Sequence, residues 1–168
     1  MNPRRNFLRL APAASLAAAV AAPGKVFAAD GNGKDFLGAW NTIHSLPFPP
    51  GSFREFLTFG EGGVVHETNS FLHTASNLDF SLFGLPNVVN GADGVGSWEP
   101  VQNGVAKVVF RKMLFDGARR NFGDFLAVGT LYSDGAAIRA DWHVSVLSPE
   151  GILIVDLGPA ISNGSRIR

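Results

Sequence analysis

Beyond residue 35 the chain is broken into short apolar runs by turn-forming residues at intervals of about a dozen, and this punctuation limits what it can fold into. The breaks are Gly60-Glu61-Gly62-Gly63, Asn103-Gly104, Asp116-Gly117, Asp134-Gly135 and Pro149-Glu150-Gly151. Asn-Gly and Asp-Gly supply the positive-φ residues that tight hairpin turns require. The runs between them are rich in Val, Phe, Leu, Ile and Thr, and show almost no 3.6-residue periodicity. Strands are therefore predicted over 38–44, 53–59, 64–70, 96–100, 105–115, 122–133, 136–148 and 151–157. Eight strands joined by hairpins predict an all-β fold, an eight-stranded antiparallel up-and-down barrel, because closure leaves no exposed edge. One connection breaks the rhythm. Residues 71–95 carry Phe71, Leu72, Leu78, Phe80, Leu82, Phe83 and Leu85 without clear alternation, which predicts a long loop or short helix lying as a lid over the barrel mouth.

The first 29 residues have a different character. Arg4, Arg5 and Arg9 form a positive start, an Ala- and Leu-rich stretch follows over 10–22, and Val26-Phe27-Ala28 places small residues where a signal peptidase cuts. This reads as a signal peptide cleaved after Ala28 or Ala29, leaving a single domain over 30–168. The segment Arg4-Arg5-Asn6-Phe7-Leu8-Arg9 resembles the twin-arginine export motif, and Lys25 before the cut fits that route. The resemblance implies a protein that folds in the cytoplasm, crosses the membrane folded, and works in the periplasm or as a secreted protein. The apolar stretch is interrupted by Pro12 and Pro23, and no later run approaches the ~20 apolar residues of a membrane span, so no anchor is expected after cleavage.

Cleavage changes the charge balance. The whole chain has fourteen basic and fourteen acidic residues; four of the basic ones and none of the acidic ones leave with the signal, so the mature domain has a net charge of −4. An acidic surface argues against a nucleic-acid partner. With no cysteine in the chain, there is no disulfide, thiolate nucleophile, iron–sulfur cluster or lipid anchor to consider. Packing must hold the domain together, and twelve Phe and three Trp remain in the mature chain to do so.

At Phe36-Leu37-Gly38-Ala39-Trp40 the chain resembles the opening of lipocalin-like (calycin-type) barrels, in which Gly-x-Trp begins the first strand. Thr58-Phe59 before the glycine-rich turn, Gly96-x-Trp98-Glu99 and Gly164-x-Arg166 extend the resemblance along the mature chain. It implies that Trp40 closes one barrel end and that the late Arg166 packs on it. It also implies a ligand-binding interior, since such barrels typically hold small apolar molecules and some relatives are enzymes. The mid-chain motif and C-terminal helix of lipocalins are not evident, and dirigent-like and allene-oxide-cyclase-like barrels share the same strand pattern.

Strand alternation then sorts the candidates. Over 136–148 the apolar set Ile138, Ala140, Trp142, Val144 and Val146 should face inward, leaving Asp141 and His143 outside; in a polar cavity the assignment inverts and Asp141-x-His143 sits on the wall. Over 105–115, Phe110 and Leu114 face inward on the side that carries Lys112. Parity with Trp40 turns Thr42 and His44 inward. Of His66 and Glu67 one must face inward, where burial would perturb its pKa in a way suited to proton transfer. Trp40, Phe56, Phe110 and Trp142 are the expected ligand-binding side chains. No metal site or cofactor is read: among His44, His66, His73 and His143 only Asp141-x-His143 has same-face spacing, and neither a Gly-x-Ser-x-Gly elbow nor an ordered dinucleotide glycine motif occurs.

Three functions are compatible with this pattern. The first is an exported barrel binding a small apolar or aromatic molecule. The second is a cofactor-independent isomerase, lyase or cyclase that uses His44, His66, Glu67, Asp141 or His143 as its ionisable groups. The third is a structural module whose barrel is filled by its own side chains. Nothing in the sequence fixes the oligomeric state.

Overall fold

The computed structural model describes residues 33–46, 51–69, 81–86, 88 and 90–168. The export segment lies outside the described residues, as do residues 71–80, 87 and 89 of the 71–95 connection expected as a lid; what is described of that connection holds a 3-10 turn at Ser81–Phe83 and, from residue 90, two strands. Nine strands follow in order: β1 Gly38–Leu46, β2 Gly51–Phe59, β3 Val64–Asn69, β4 Asn90–Gly91, β5 Gly94–Gln102, β6 Val105–Phe115, β7 Asn121–Ser133, β8 Ala137–Leu147 and β9 Leu153–Arg166. All pairings are antiparallel. Strands β1, β2, β3, β5, β6, β7, β8 and β9 each bond to the next, and β9 returns to β1, while the two-residue β4 lies against β6. The result is the closed eight-stranded antiparallel barrel that the turn pattern predicts.

One boundary differs in a way that matters. The sequence predicts the last strand over 151–157, yet β9 runs on to Arg166. A bulge makes this compatible with pairing: Ser145 faces Asp156 while Val144 faces Gly158, so Leu157 is the extra residue and the ladder resumes beyond it. Gly158 takes a positive φ of 81° at this point, which glycine does without strain. The extension supplies the strand that pairs with β1 and closes the barrel.

One end is sealed by aromatic rings. Trp40 is fully buried and donates from Nε1 to the Phe36 carbonyl at 2.7 Å. Phe36, Phe59 and Trp98 pack against one another with centroids 5.7–6.3 Å apart. The Arg166 guanidinium lies 4.5 Å from the Trp40 ring centroid and donates to the carbonyls of Leu37, Asp35 and Gly135. This is the Trp–Arg contact that the resemblance implies. A cation held on an indole and hydrogen-bonded to three carbonyls ties β1, β9 and the β7–β8 turn into one unit.

Inward glycines shape the rest of the interior. A Cβ at Gly129 would stand 2.4 Å from the Trp142 ring, and one at Gly94 would stand 2.9 Å from Glu67 Oε2. These two positions lack side chains because an indole and a carboxylate occupy the space.

Candidate functional site

Next to Trp40 the otherwise apolar interior holds a set of buried polar side chains. In the register of β1 against β2, Thr42 sits opposite Glu55 and His44 opposite Phe53; against β9, His44 sits opposite Ser162. Three strands therefore aim Thr42, His44, Glu55 and Ser162 at one point, and each is at most 1% exposed. Thr42 Oγ1 donates to Glu55 Oε1 at 3.0 Å, and Ser162 Oγ donates to the same oxygen at 2.8 Å. Trp142 Nε1 donates to Ser162 Oγ at 2.8 Å. His44 Nδ1 lies 3.0 Å from Ser162 Oγ and 3.4 Å from Glu55 Oε1. The imidazole is stacked on Phe53, with centroids 4.8 Å apart and planes 14° apart.

Proton counting fixes the histidine tautomer, which a heavy-atom geometry alone does not reveal. The Ser162 hydroxyl has one proton, and the Glu55 carboxylate takes it. Its oxygen then has two lone pairs: one accepts from Trp142 and the other from His44, so Nδ1 carries the hydrogen. In the neutral ring this makes Nε2 a bare acceptor. Among the described residues, His44 Nε2 is the one buried side-chain nitrogen or oxygen with no hydrogen-bond partner in the protein.

A second cluster adjoins the first. Lys112 Nζ, from β6, contacts Glu67 Oε2 at 2.7 Å, and Asn69 Nδ2 donates to Glu67 Oε1 at 2.7 Å. The ammonium also lies 5.1 Å and 5.6 Å from the ring centroids of Phe125 and Phe110. Both charged side chains are almost wholly buried. Among the described residues no group of three or more His, Asp and Glu is arranged to hold a metal ion.

The two buried carboxyls are pushed in opposite directions. Burial raises Glu55, but the hydrogen bond of His44 and the charge that ring carries when protonated, the charge of Lys112 and the Ser162 hydroxyl outweigh it, leaving the carboxyl below its ordinary value of 4.5. For Glu67, burial together with the negative charge of Glu55 prevails over Lys112 and Asn69, and the carboxyl is raised above 4.5. The linkage signs follow. Below pH 4.5 unfolded Glu55 binds a proton that folded Glu55 does not, so its contribution to stability is lost as the pH falls through the depressed value. Above pH 4.5 folded Glu67 keeps a proton that the unfolded chain has released, so stability falls as the pH rises through the elevated value. In urea titrations across this range, the stability of wild type relative to Glu67→Gln should decline with rising pH above 4.5. Relative to Glu55→Gln it should decline with falling pH below 4.5. Parallel, pH-independent differences would show that neither carboxyl is shifted.

The structure distributes the sequence candidates unevenly. His44 and Glu67 face the interior, one in each cluster, and Trp40, Phe110 and Trp142 are buried there with them. Trp40 is at the sealed end, whereas Trp142 reaches Ser162 and packs edge-on against Phe110 at 5.3 Å. Phe56, His66, Asp141 and His143 are on the outside. Phe56 was expected to line the interior, but Glu55 and Leu57 on either side of it take the inward positions, and Arg54 lies over its outer ring face at 4.9 Å. His66 is exposed because Glu67 is the inward member of that pair. Asp141 pairs with Arg139 at 2.9 Å and His143 with Asp156 at 2.9 Å, both in solvent-accessible positions. Nothing in the sequence singles out Glu55, Ser162 or Asn69, and the alternation of residues 105–115 turns Lys112 inward without indicating its partner.

Fold and site together define a closed antiparallel β-barrel, consistent with a lipocalin-like architecture, whose interior joins an aromatic lining to a hydrogen-bonded set of ionisable groups. Comparison of the chain with protein-family models, with curated proteins and with solved structures finds no match.

Proposed function

We propose that this chain is an exported barrel of the lipocalin-like kind that binds a small apolar or aromatic molecule inside, with the polar end of that molecule at His44. One observation carries the reading: a buried imidazole nitrogen without a partner, in an interior where the neighbouring hydroxyls, carboxylates and indole are satisfied. Leaving a buried polar atom unpaired costs about 1–3 kcal/mol, a cost that a ligand group at that atom removes. The aromatic rings of Phe53, Phe110 and Trp142 supply the apolar contacts around it. Export rests on the Arg4–Arg9 motif and the stretch that follows it.

The test uses the mature domain and the fluorescent amine N-phenyl-1-naphthylamine, which is apolar and has one N–H. Saturable one-to-one binding is expected, weakened about tenfold in His44→Phe, a variant that keeps a flat ring on Phe53. Absence of saturable binding, together with no thermal shift across a panel of aromatic compounds, would instead indicate a barrel filled by its own side chains.

The pairing of His44 with Glu55 favours a second reading on the same site, a cofactor-independent isomerase, lyase or cyclase. A bare Nε2 accepts a proton, and a carboxylate near Nδ1 stabilises the imidazolium that results. Deuterium from solvent should then enter a molecule that co-purifies with the protein, at a carbon-bound position, and not in His44→Phe.

A further inference from the structure

We infer that the occupant of this barrel presents a hydroxyl group, of phenol or enol type, to His44 rather than a ketone, an ether or a carboxylate. The inference rests on the binding role proposed above and names the chemistry that the site selects. It starts from Ser162. Its single proton is committed to Glu55 Oε1 at 2.8 Å and one of its lone pairs to Trp142 Nε1 at 2.8 Å, so the contact to His44 Nδ1 at 3.0 Å must be a donation from the ring. With the ring neutral, the hydrogen is therefore held on Nδ1, and Nε2, buried and unpartnered, offers only a lone pair. A lone pair attracts a donor. A carbonyl or ether oxygen brought to the same atom would meet it acceptor to acceptor, and the mismatch would be costly at so buried a position.

Charge points the same way. The Glu55 carboxylate is 3.4 Å from His44 Nδ1, and the buried ammonium of Lys112 is already engaged by Glu67 at 2.7 Å. An anionic ligand would enter beside a carboxylate with no uncommitted cation among these groups. A neutral hydroxyl avoids that repulsion. Direction is set as well: the Nε2 lone pair lies in the plane of the imidazole, and that plane is within 14° of the Phe53 ring. A donor must approach edge-on, nearly parallel to Phe53, which suits an O–H in the plane of a flat ring or enol better than one on a saturated, puckered carbon.

Three probes that share one bicyclic skeleton test this: 2-naphthol, 2-methoxynaphthalene and 2-acetonaphthone, each competing with N-phenyl-1-naphthylamine for the wild-type domain. The naphthol should displace the amine at about tenfold lower concentration than the ether or the ketone. That preference should shrink to about twofold or less in His44→Phe. A measurement free of any variant or ligand supports it: two-bond proton–nitrogen NMR correlation of the histidines should show His44 protonated at Nδ1 and bare at Nε2. Equal displacement by all three probes, preference for the ketone, or a neutral ring protonated at Nε2 would overturn the inference while leaving binding of the amine intact. If the amine itself does not bind, it is the binding role that fails, and this inference falls with it.

Discussion

Replacing Lys112 with Met should lower the stability of the domain by about 3–5 kcal/mol, the range seen when one member of a buried ion pair is removed and its partner is left behind. For a domain of this size that corresponds to a fall of roughly 10 °C or more in the thermal midpoint. The reason is not a lost attraction as such. Lys112 and Glu67 are each about 2% exposed or less and lie 2.7 Å apart, so without the ammonium Glu67 must either remain ionised in an apolar interior or carry a proton at neutral pH. Methionine fills most of the space of the lysine stem against Phe110 and Phe125, which separates the charge effect from a packing effect. The double variant Lys112→Met with Glu67→Gln should recover a large part of the loss, because the amide oxygen still accepts from Asn69 and no charge remains to be solvated. Urea unfolding of the four proteins gives the coupling directly. Strictly additive effects, or a Lys112→Met protein within 1 kcal/mol of wild type, would mean that the pair is solvated in the working molecule.

How much of this could be read from the chain depended on whether the information was local. The hairpin turns, the alternation of β6 and β8, and the Trp40–Arg166 closure were legible because each rests on nearby residues or on a short motif. His44 and Thr42 were legible by parity from Trp40, and Glu67 by the requirement that one of two adjacent residues face inward. Glu55 was hidden by a parity ambiguity in β2. Phe53, Phe56 and Phe59 recur every three residues, so no single face of a strand can hold all three. Turning Phe56 inward puts Glu55 out, and a shift of one residue reverses every side chain. The cross-strand register, with Thr42 opposite Glu55, settles this, and only the paired strands specify that register. Ser162 was hidden for another reason. It lies beyond residue 157, where the last strand is predicted to end, and only the bulge at Leu157 lets β9 continue to it. The Lys112–Glu67 partnership spans 45 residues of sequence, so neither member signals the other. The site thus consists of residues that look misplaced one at a time and become intelligible only as a set.

Trp40 and Thr42 are successive inward residues of β1, so the sealed end and the polar site occupy neighbouring layers of the barrel, and the second large prediction asks whether they act independently. Trp40→Ala should cost about 3–5 kcal/mol, as expected for deleting a fully buried large aromatic side chain whose cavity collapses only in part. Two further losses follow from its contacts. The Phe36 carbonyl loses the indole donor, and the Arg166 guanidinium loses the ring beneath it while still engaged with three carbonyls. Trp40→Phe, which keeps a ring under Arg166 but no N–H, should lose only about 1–2 kcal/mol. If Trp40 acts only in closure, Trp40→Phe will bind N-phenyl-1-naphthylamine as wild type does, because His44, Phe53, Glu55 and Ser162 are assembled by register farther along the same strands. Urea unfolding paired with fluorescence titration separates the outcomes. A Trp40→Phe protein of near-normal stability that has lost the probe would place Trp40 in the ligand contact surface, as the strand pattern alone suggests. A Trp40→Ala protein with an unchanged unfolding midpoint would mean that the barrel end is held by Phe36, Phe59 and Trp98 without it.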